Sequence, residues 1–213
     1  MKTIRSDQHV ALVTLTLFML ILTGCASSYS SRFYQLNAAQ STVSVASDVS
    51  PCHGLVVAIG PVRIPDYLDR PQIVTRSGKN ELKLSEFDRW AGSFESDVGR
   101  VLVEDISSIL PPDCASVLYW TSYSESQVPA SYRVEVSVER YEGTLGDSVL
   151  LKAQWEVYAH DRSLLMKKES RISEQMNSGS YDALVAAMSG ALERLSRDIS
   201  GGIMFVLQQE PIK

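Results

Sequence analysis

The sequence predicts an α+β fold, an antiparallel-dominated sheet with two long helices packed on one face. Three observations carry this. Residues 132–176 fall into three successive strand-like runs, the first two with apolar side chains at alternate positions, the period of strands with one covered face. Two other segments, near 90–110 and from about 181, repeat apolar residues every three or four positions, the period of a helix with one buried stripe. The order along the chain is strand, strands, helix, strands, helix, which suits helices layered on one side of a sheet.

The elements follow in order. Phe33-Tyr34-Gln35-Leu36 reads as a first strand and residues 37–53 as a loop without periodicity. Leu55–Ile59 is a compact apolar run suited to a buried strand, and Gly60-Pro61 interrupts it before Val62-Arg63-Ile64. Pro65, Asp66, Asp69 and Pro71 mark a turn-rich stretch. Gln72–Thr75 and Leu82–Leu84 read as short strands joined through Gly78-Lys79-Asn80.

The first helix is expected from about Trp90 to Leu110, with Phe94, Val98, Val101, Leu102, Ile106, Ile109 and Leu110 as its stripe; Gly92 places its start nearer Ser93. Arg100 and Glu104, four apart, suit an ion pair, and Pro111-Pro112 ends the helix. A run from Val117 to Trp120 precedes a meander of strands at 132–141, 149–159 and 164–176. The last helix begins near Tyr181, with Leu184, Val185, Met188, Ala191, Leu192, Leu195 and Ile199 inward. Gly201-Gly202 is expected to end or kink it, leaving Ile203–Leu207 as core, a last turn or a docking segment.

The N-terminus belongs to none of these elements. Lys2 and Arg5 precede an apolar run from Val10 to Leu22, too short to span a bilayer as a helix, which needs ~20 residues. Leu22-Thr23-Gly24-Cys25 resembles the bacterial lipobox. The resemblance implies that residues 1–24 are a signal peptide removed before Cys25. The Cys25 thiol would then take a diacylglycerol and its freed amine a fatty acid such as palmitate. One acyl chain holds a membrane marginally, whereas two or more hold it stably. The competing reading is an ordinary secretory signal with a chance cysteine. Residues 25–31 form the lipidated tether and 32–213 a single periplasmic domain. Ala26, rather than Asp, after the cysteine implies the outer membrane by analogy with enteric lipoproteins.

Removing residues 1–24 from the 213 leaves 189, enough to bury a core without staples. The formal charge of −5 argues against nucleic acid as a partner, since phosphate binding wants a basic face. Cys52 and Cys114 form an even pair and suit a disulfide in an oxidising compartment; free buried thiols and reactive ones stay open as alternatives. Each precedes a strand-like run, and parallel neighbours would bring those starts together.

No catalytic or metal-binding pattern is present. His53 and His160 each lack a partner at ligand spacing, and no nucleophile elbow, P-loop or dinucleotide fingerprint occurs. Glu135, Glu139 and Glu142 read as a solvated strand face rather than a carboxylate pair. Trp90, Trp120 and Trp155 read as core anchors, against a surface cluster as the alternative. The sequence therefore predicts neither an enzyme nor a cofactor beyond the covalent lipid.

The densest signal is Ile64-Pro65-Asp66-Tyr67-Leu68-Asp69-Arg70-Pro71-Gln72-Ile73-Val74-Thr75-Arg76, followed by Leu84-Ser85-Glu86-Phe87-Asp88-Arg89-Trp90. Together with Phe33–Leu36, the meander and the last helix, these strings resemble the PqiC (YmbA-like) group of ABC-type transport auxiliary lipoproteins. A departure follows Trp90, where Ala91-Gly92-Ser93-Phe94 replaces the family's acidic-Pro-Leu run. The resemblance implies a non-catalytic component of envelope lipid transport. Its expected partner is an MCE-domain protein, and its expected assembly a homo-oligomeric ring matching a ring-like conduit. Tyr67, Arg70 and Arg76 then become candidates for the partner interface, with a purely structural turn as the alternative. Two further readings compete: a lipid-binding carrier with an acyl-chain pocket, and a hydrolase with a spatially assembled triad.

Overall fold

Leu55–Arg63 is buried along nearly its whole length, so it belongs at the centre of a sheet with cover on both sides. The computed structural model describes residues 30–39, 54–111, 114–120 and 129–209, so Cys25, Cys52 and His53 lie outside the described residues. Among these, eight strands form one sheet: β1 (Arg32–Tyr34), β2 (Leu55–Arg63), β3 (Gln72–Arg76), β4 (Leu82–Trp90), β5 (Ala115–Tyr119), β6 (Tyr132–Gly143), β7 (Ser148–Ala159) and β8 (Leu164–Gln175). The helices are α1 (Phe94–Ile109) and α2 (Tyr181–Gln209).

The sheet is mixed, which corrects the antiparallel-dominated expectation. β1 pairs with β4, β5 with β2, and β6 with both β2 and β3, all parallel. The meander β6-β7-β8 and the β3-β4 hairpin are antiparallel. Alternation reports which face a side chain takes and carries no sign of strand direction. Direction here is set by non-local crossovers, such as the return from β4 through α1 to β5.

The expected inward set of the meander holds. Tyr132, Val134, Val136 and Val138 of β6 face the core with Leu151, Ala153, Trp155 and Val157 of β7. After Val138 the register shifts, which leaves Glu139 as an extra residue and turns Tyr141 inward. Both helices cover this face and touch each other. Trp90 stacks on Phe94 at 4.5 Å, Phe94 meets Tyr141 at 5.5 Å, and the Tyr141 hydroxyl donates to Met188 O at 2.7 Å. That chain of contacts ties β4, α1, β6 and α2 into one core.

Local chemistry sets the helix ends. Ser93 is the N-cap of α1, its hydroxyl accepting from the Ser96 N–H, so Trp90 closes β4 instead of opening the helix. The expected Arg100–Glu104 pair forms, with one Arg100 nitrogen 2.9 and 3.0 Å from the two carboxylate oxygens. α2 continues through Gly201-Gly202 to Gln209, so the glycines do not end it as expected. Gly202 is buried against Trp155, and this packing outweighs glycine's helix cost of roughly 1 kcal/mol. β2 likewise runs unbroken past Gly60, whose φ of 127° only glycine adopts readily and whose Cα faces the Trp120 carbonyl closely.

Candidate functional site

The turn-rich segment leaves β2 and crosses to β3 as a strap. Leu68 plugs into the core, and its N–H donates to Pro65 O at 2.9 Å. Trp90 N–H donates to Pro71 O at 2.8 Å, which fixes the strap's far end to β4. Glu142 of β6 lies beneath it, 1% exposed.

Glu142 gathers the residues around it. The Tyr67 hydroxyl donates to Oε2 at 2.7 Å and the Arg76 Nε to Oε1 at 2.8 Å. Arg140 adds Nε at 3.0 Å and an Nη at 2.8 Å, both to Oε1, and Tyr141 N–H donates to Oε2 at 3.2 Å. Burial alone would raise this carboxyl, but the hydrogen bonds from Tyr67, Arg76 and Arg140 hold it below its ordinary value. Tyr67 is pushed well up, first by burial and then by its bond to Glu142.

The second motif has a similar centre. Asp88, 4% exposed, accepts from the Tyr34 hydroxyl at 3.1 Å and pairs with Arg32 at 2.7 Å, while Ser85 donates to its other oxygen at 2.8 Å. The two strings of the family pattern thus each close on a buried carboxylate with saturated partners. Such centres position backbone; they present neither a free base nor an open ligand.

Of the three interface candidates, the structure brings Tyr67 and Arg76 together on Glu142 and leaves Arg70 apart. Arg70 is half-buried, its Nε buried with no hydrogen-bond partner among the described residues. Arg89 is alike and sits nearby, since its register partner is Gln72. Sequence reading missed Glu142, which looked like part of a solvated face, because the bulge at Glu139 is invisible in the alternation. The signal present was Tyr141, an aromatic three places after Val138 where strict alternation wants two.

The remaining candidates are spread out. Cys114 is fully buried and disulfide-bonded. His160 Nδ1 lies 3.1 Å from Ala130 O. Trp90 and Trp155 are core residues, whereas half-buried Trp120 stacks on the Arg133 guanidinium at 5.7 Å. Among the described residues no group of His, Cys, Asp or Glu converges as metal ligands. A cavity of about 290 Å³ at the start of α1 is lined by Gln35, Gly92, Ser93, Ser96, Asp97 and Arg100. Its charged pair, Asp97 and Arg100, is satisfied internally at 2.6 Å.

Comparison with known proteins fits this arrangement. The fold is similar to that of XCC0632 from Xanthomonas campestris, with a TM-score of 0.68 and 16% identity over 84% of this chain and 98% of that one. A second solved structure, of an uncharacterised protein, gives a TM-score of 0.64 and 18% identity over 82% and 99%. No curated protein matches the chain. The model of the ABC-type transport auxiliary lipoprotein component matches residues 34–200, a span that contains both motif strings and both buried carboxylates. The chain therefore belongs to the ABC-type transport auxiliary lipoprotein family.

Proposed function

We propose that this protein is a lipid-anchored, non-catalytic docking component of a transport system that moves lipid between the inner and outer membranes through an MCE-domain partner, and so contributes to envelope integrity. The family match over residues 34–200 carries this reading, because it makes the chain an auxiliary lipoprotein of ABC-type transport. The saturation of Glu142 and Asp88 favours a structural module over a reacting centre.

Cys25 is the anchor, and Ala26 directs it to the outer membrane on the periplasmic side. The Cys25→Ser protein is expected to leave the membrane fraction and to lose the mass of its acyl chains. Persistence of the variant in membranes would sink the anchor reading.

The partner surface centres on Arg70. Tyr67 and Arg76 spend their polar ends on Glu142 and act by holding the strap in shape. Among the described residues the buried Nε atoms of Arg70 and neighbouring Arg89 have no hydrogen-bond partner, which suits recognition by an acidic surface. A homo-oligomeric ring would present several copies of this surface to one conduit.

The oxidised partner of Cys114 is Cys52 in this reading. The expected meeting of strand starts supports it: Leu55 pairs in parallel with Ala115, and its N–H donates to Cys114 O at 3.3 Å, three residues after Cys52. Peptide mapping without reductant should give a linked Cys52–Cys114 fragment, and two separately alkylated cysteines would refute the pairing.

A further inference from the structure

We propose that the β1–β4 edge of the sheet is a membrane-contacting surface, with Phe33 and Leu84 entering the phospholipid interface and Arg32 and Arg89 meeting lipid phosphates. This goes beyond the docking reading and rests on the anchor reading of Cys25 for its place at a bilayer. Arg70, on which the partner surface centres, is not part of it.

Five large apolar side chains are exposed among the described residues: Phe33 at 66%, Leu84 at 48%, and Leu145, Leu164 and Phe205. Register puts the first two on one side of the sheet. Trp90 points to the helix side, where it stacks on Phe94. Successive strand residues alternate sides, so Arg89 points away from the helices, and its parallel register partner Phe33 points with it. Tyr141 also faces the helices, through its bond to Met188, and Gly143, two residues on, shares its side. Thr75 is the register partner of Gly143, so the adjacent Val74 points away from the helices, and its own partner Leu84 does too.

Both residues lie at an open flank. β1 is three residues long and pairs with β4 alone, and Leu84 belongs to the stretch of β4 that β1 does not reach. Scattered exposed apolar residues are ordinary. Two on one side of one edge, beside guanidinium groups, have the composition of an interfacial contact. Arg32, next to Phe33, keeps 65% of its side chain exposed with one nitrogen on Asp88 at 2.7 Å. Arg89 stands beside Phe33 across the strands, its buried Nε without a hydrogen-bond partner among the described residues. Guanidinium groups make charge-assisted hydrogen bonds to phosphate, and aromatic rings settle at headgroup level.

The length of chain before β1 says what covers this edge. Eight residues lead from Cys25 to Phe33, so Phe33 stays within ~29 Å of the acylated cysteine however those residues run. β1 is thus the first element the anchor draws to the bilayer. Two partly inserted side chains do not hold a domain by themselves, which agrees with the expected release of Cys25→Ser from membranes. Their role is orientation: they fix which side of the anchored domain faces lipid.

Quenching of tryptophan by brominated acyl chains tests this. Phe33→Trp, Leu84→Trp and, as a control from α2, Phe205→Trp are made in the native lipoprotein. Each is reconstituted in phosphatidylethanolamine–phosphatidylglycerol vesicles, plain or brominated. The emission added by Phe33→Trp and by Leu84→Trp should fall at least roughly twofold on bromination, since interfacial groups sit ~5–10 Å into the headgroup and acyl boundary. That added by Phe205→Trp should not change. Equal emission from Phe33→Trp and Leu84→Trp in plain and brominated vesicles would overturn the membrane surface. Emission that responds only when an MCE-domain protein is added would overturn it in favour of a protein interface. The same variants on the full mature chain with Cys25→Ser, held on nickel-chelating lipid by an N-terminal hexahistidine tag, repeat the reading without the natural anchor. A native chain without acyl groups would overturn the anchor reading alone; the surface then stands if the nickel-held chain is quenched and falls if it is not.

Discussion

Glu142→Ala is expected to destabilise the domain by about 3 kcal/mol, since removing one partner of a buried ionic cluster leaves the others uncompensated. For a domain of this size that is a fall in Tm of roughly 10 °C. Arg76 and Arg140 keep 22% and 38% of their side chains exposed, which holds the loss toward the low end of the range for buried pairs. Tyr67 would lose its acceptor and the strap its tie to β6. Arg76→Ala should cost less, and the double variant should fall well short of the sum, because both substitutions break one cluster.

The pH dependence has a definite sign. Glu142 is held below its ordinary 4.5 in the folded state, so its contribution is full above that value and is lost as pH falls through the lower folded one. The gap in stability between the native protein and Glu142→Ala should therefore narrow in acid. Thermal melts of both proteins from pH 7 to pH 3 check this; a constant gap would mean that Glu142 acts by shape alone.

Gly202→Val is expected to cost about 2–3 kcal/mol by overpacking. A Cβ at Gly202 would lie 2.4 Å from the Trp155 ring, which is itself held by its indole N–H donating to Ser170 at 3.1 Å. Ring and helix cannot both stay. Gly201→Ala is the natural comparison, because nothing stands within 4 Å of its Cβ and the residue is exposed. There the usual helix preference should stabilise by about 0.5–1 kcal/mol. Opposite signs at adjacent glycines would show that α2 passes this point by packing on Trp155; equal losses at both would contradict it. Denaturant melts of the two variants read the difference.

These cases also show what was legible in the sequence. The inward residues of β6 and β7 and the stripes of both helices stood out because periodicity reports burial directly. Strand direction did not, since β2 pairs with β5 and β6 across long stretches of chain and the alternation is blind to sign. The passage of α2 through Gly201-Gly202 was hidden because local propensity argued for a stop, while the contact with Trp155 lies dozens of residues away. The candidate site was half visible. The string from Ile64 to Arg76 singled out Tyr67 and Arg76, but their common target Glu142 sits beyond a bulge that shifts the register. The side-chain hold on residues 35–39, whose Leu36, Asn37 and Ala39 N–H groups donate to Asp97, Ser189 and Asp105, had no sequence signal, because those side chains look like ordinary helix-surface residues until the segment lies across them.

The central claim, an anchored docking component, is tested most directly by cross-linking the tagged lipoprotein in native membranes and identifying what co-purifies, for the native chain and for Arg70→Ala. An MCE-domain protein should be recovered with the native chain, and its yield should drop roughly tenfold with Arg70→Ala, the loss expected for an interface arginine worth more than 1 kcal/mol. Recovery of the native lipoprotein without any MCE-domain protein would contradict the docking function, and equal recovery with Arg70→Ala would contradict the surface assigned to it.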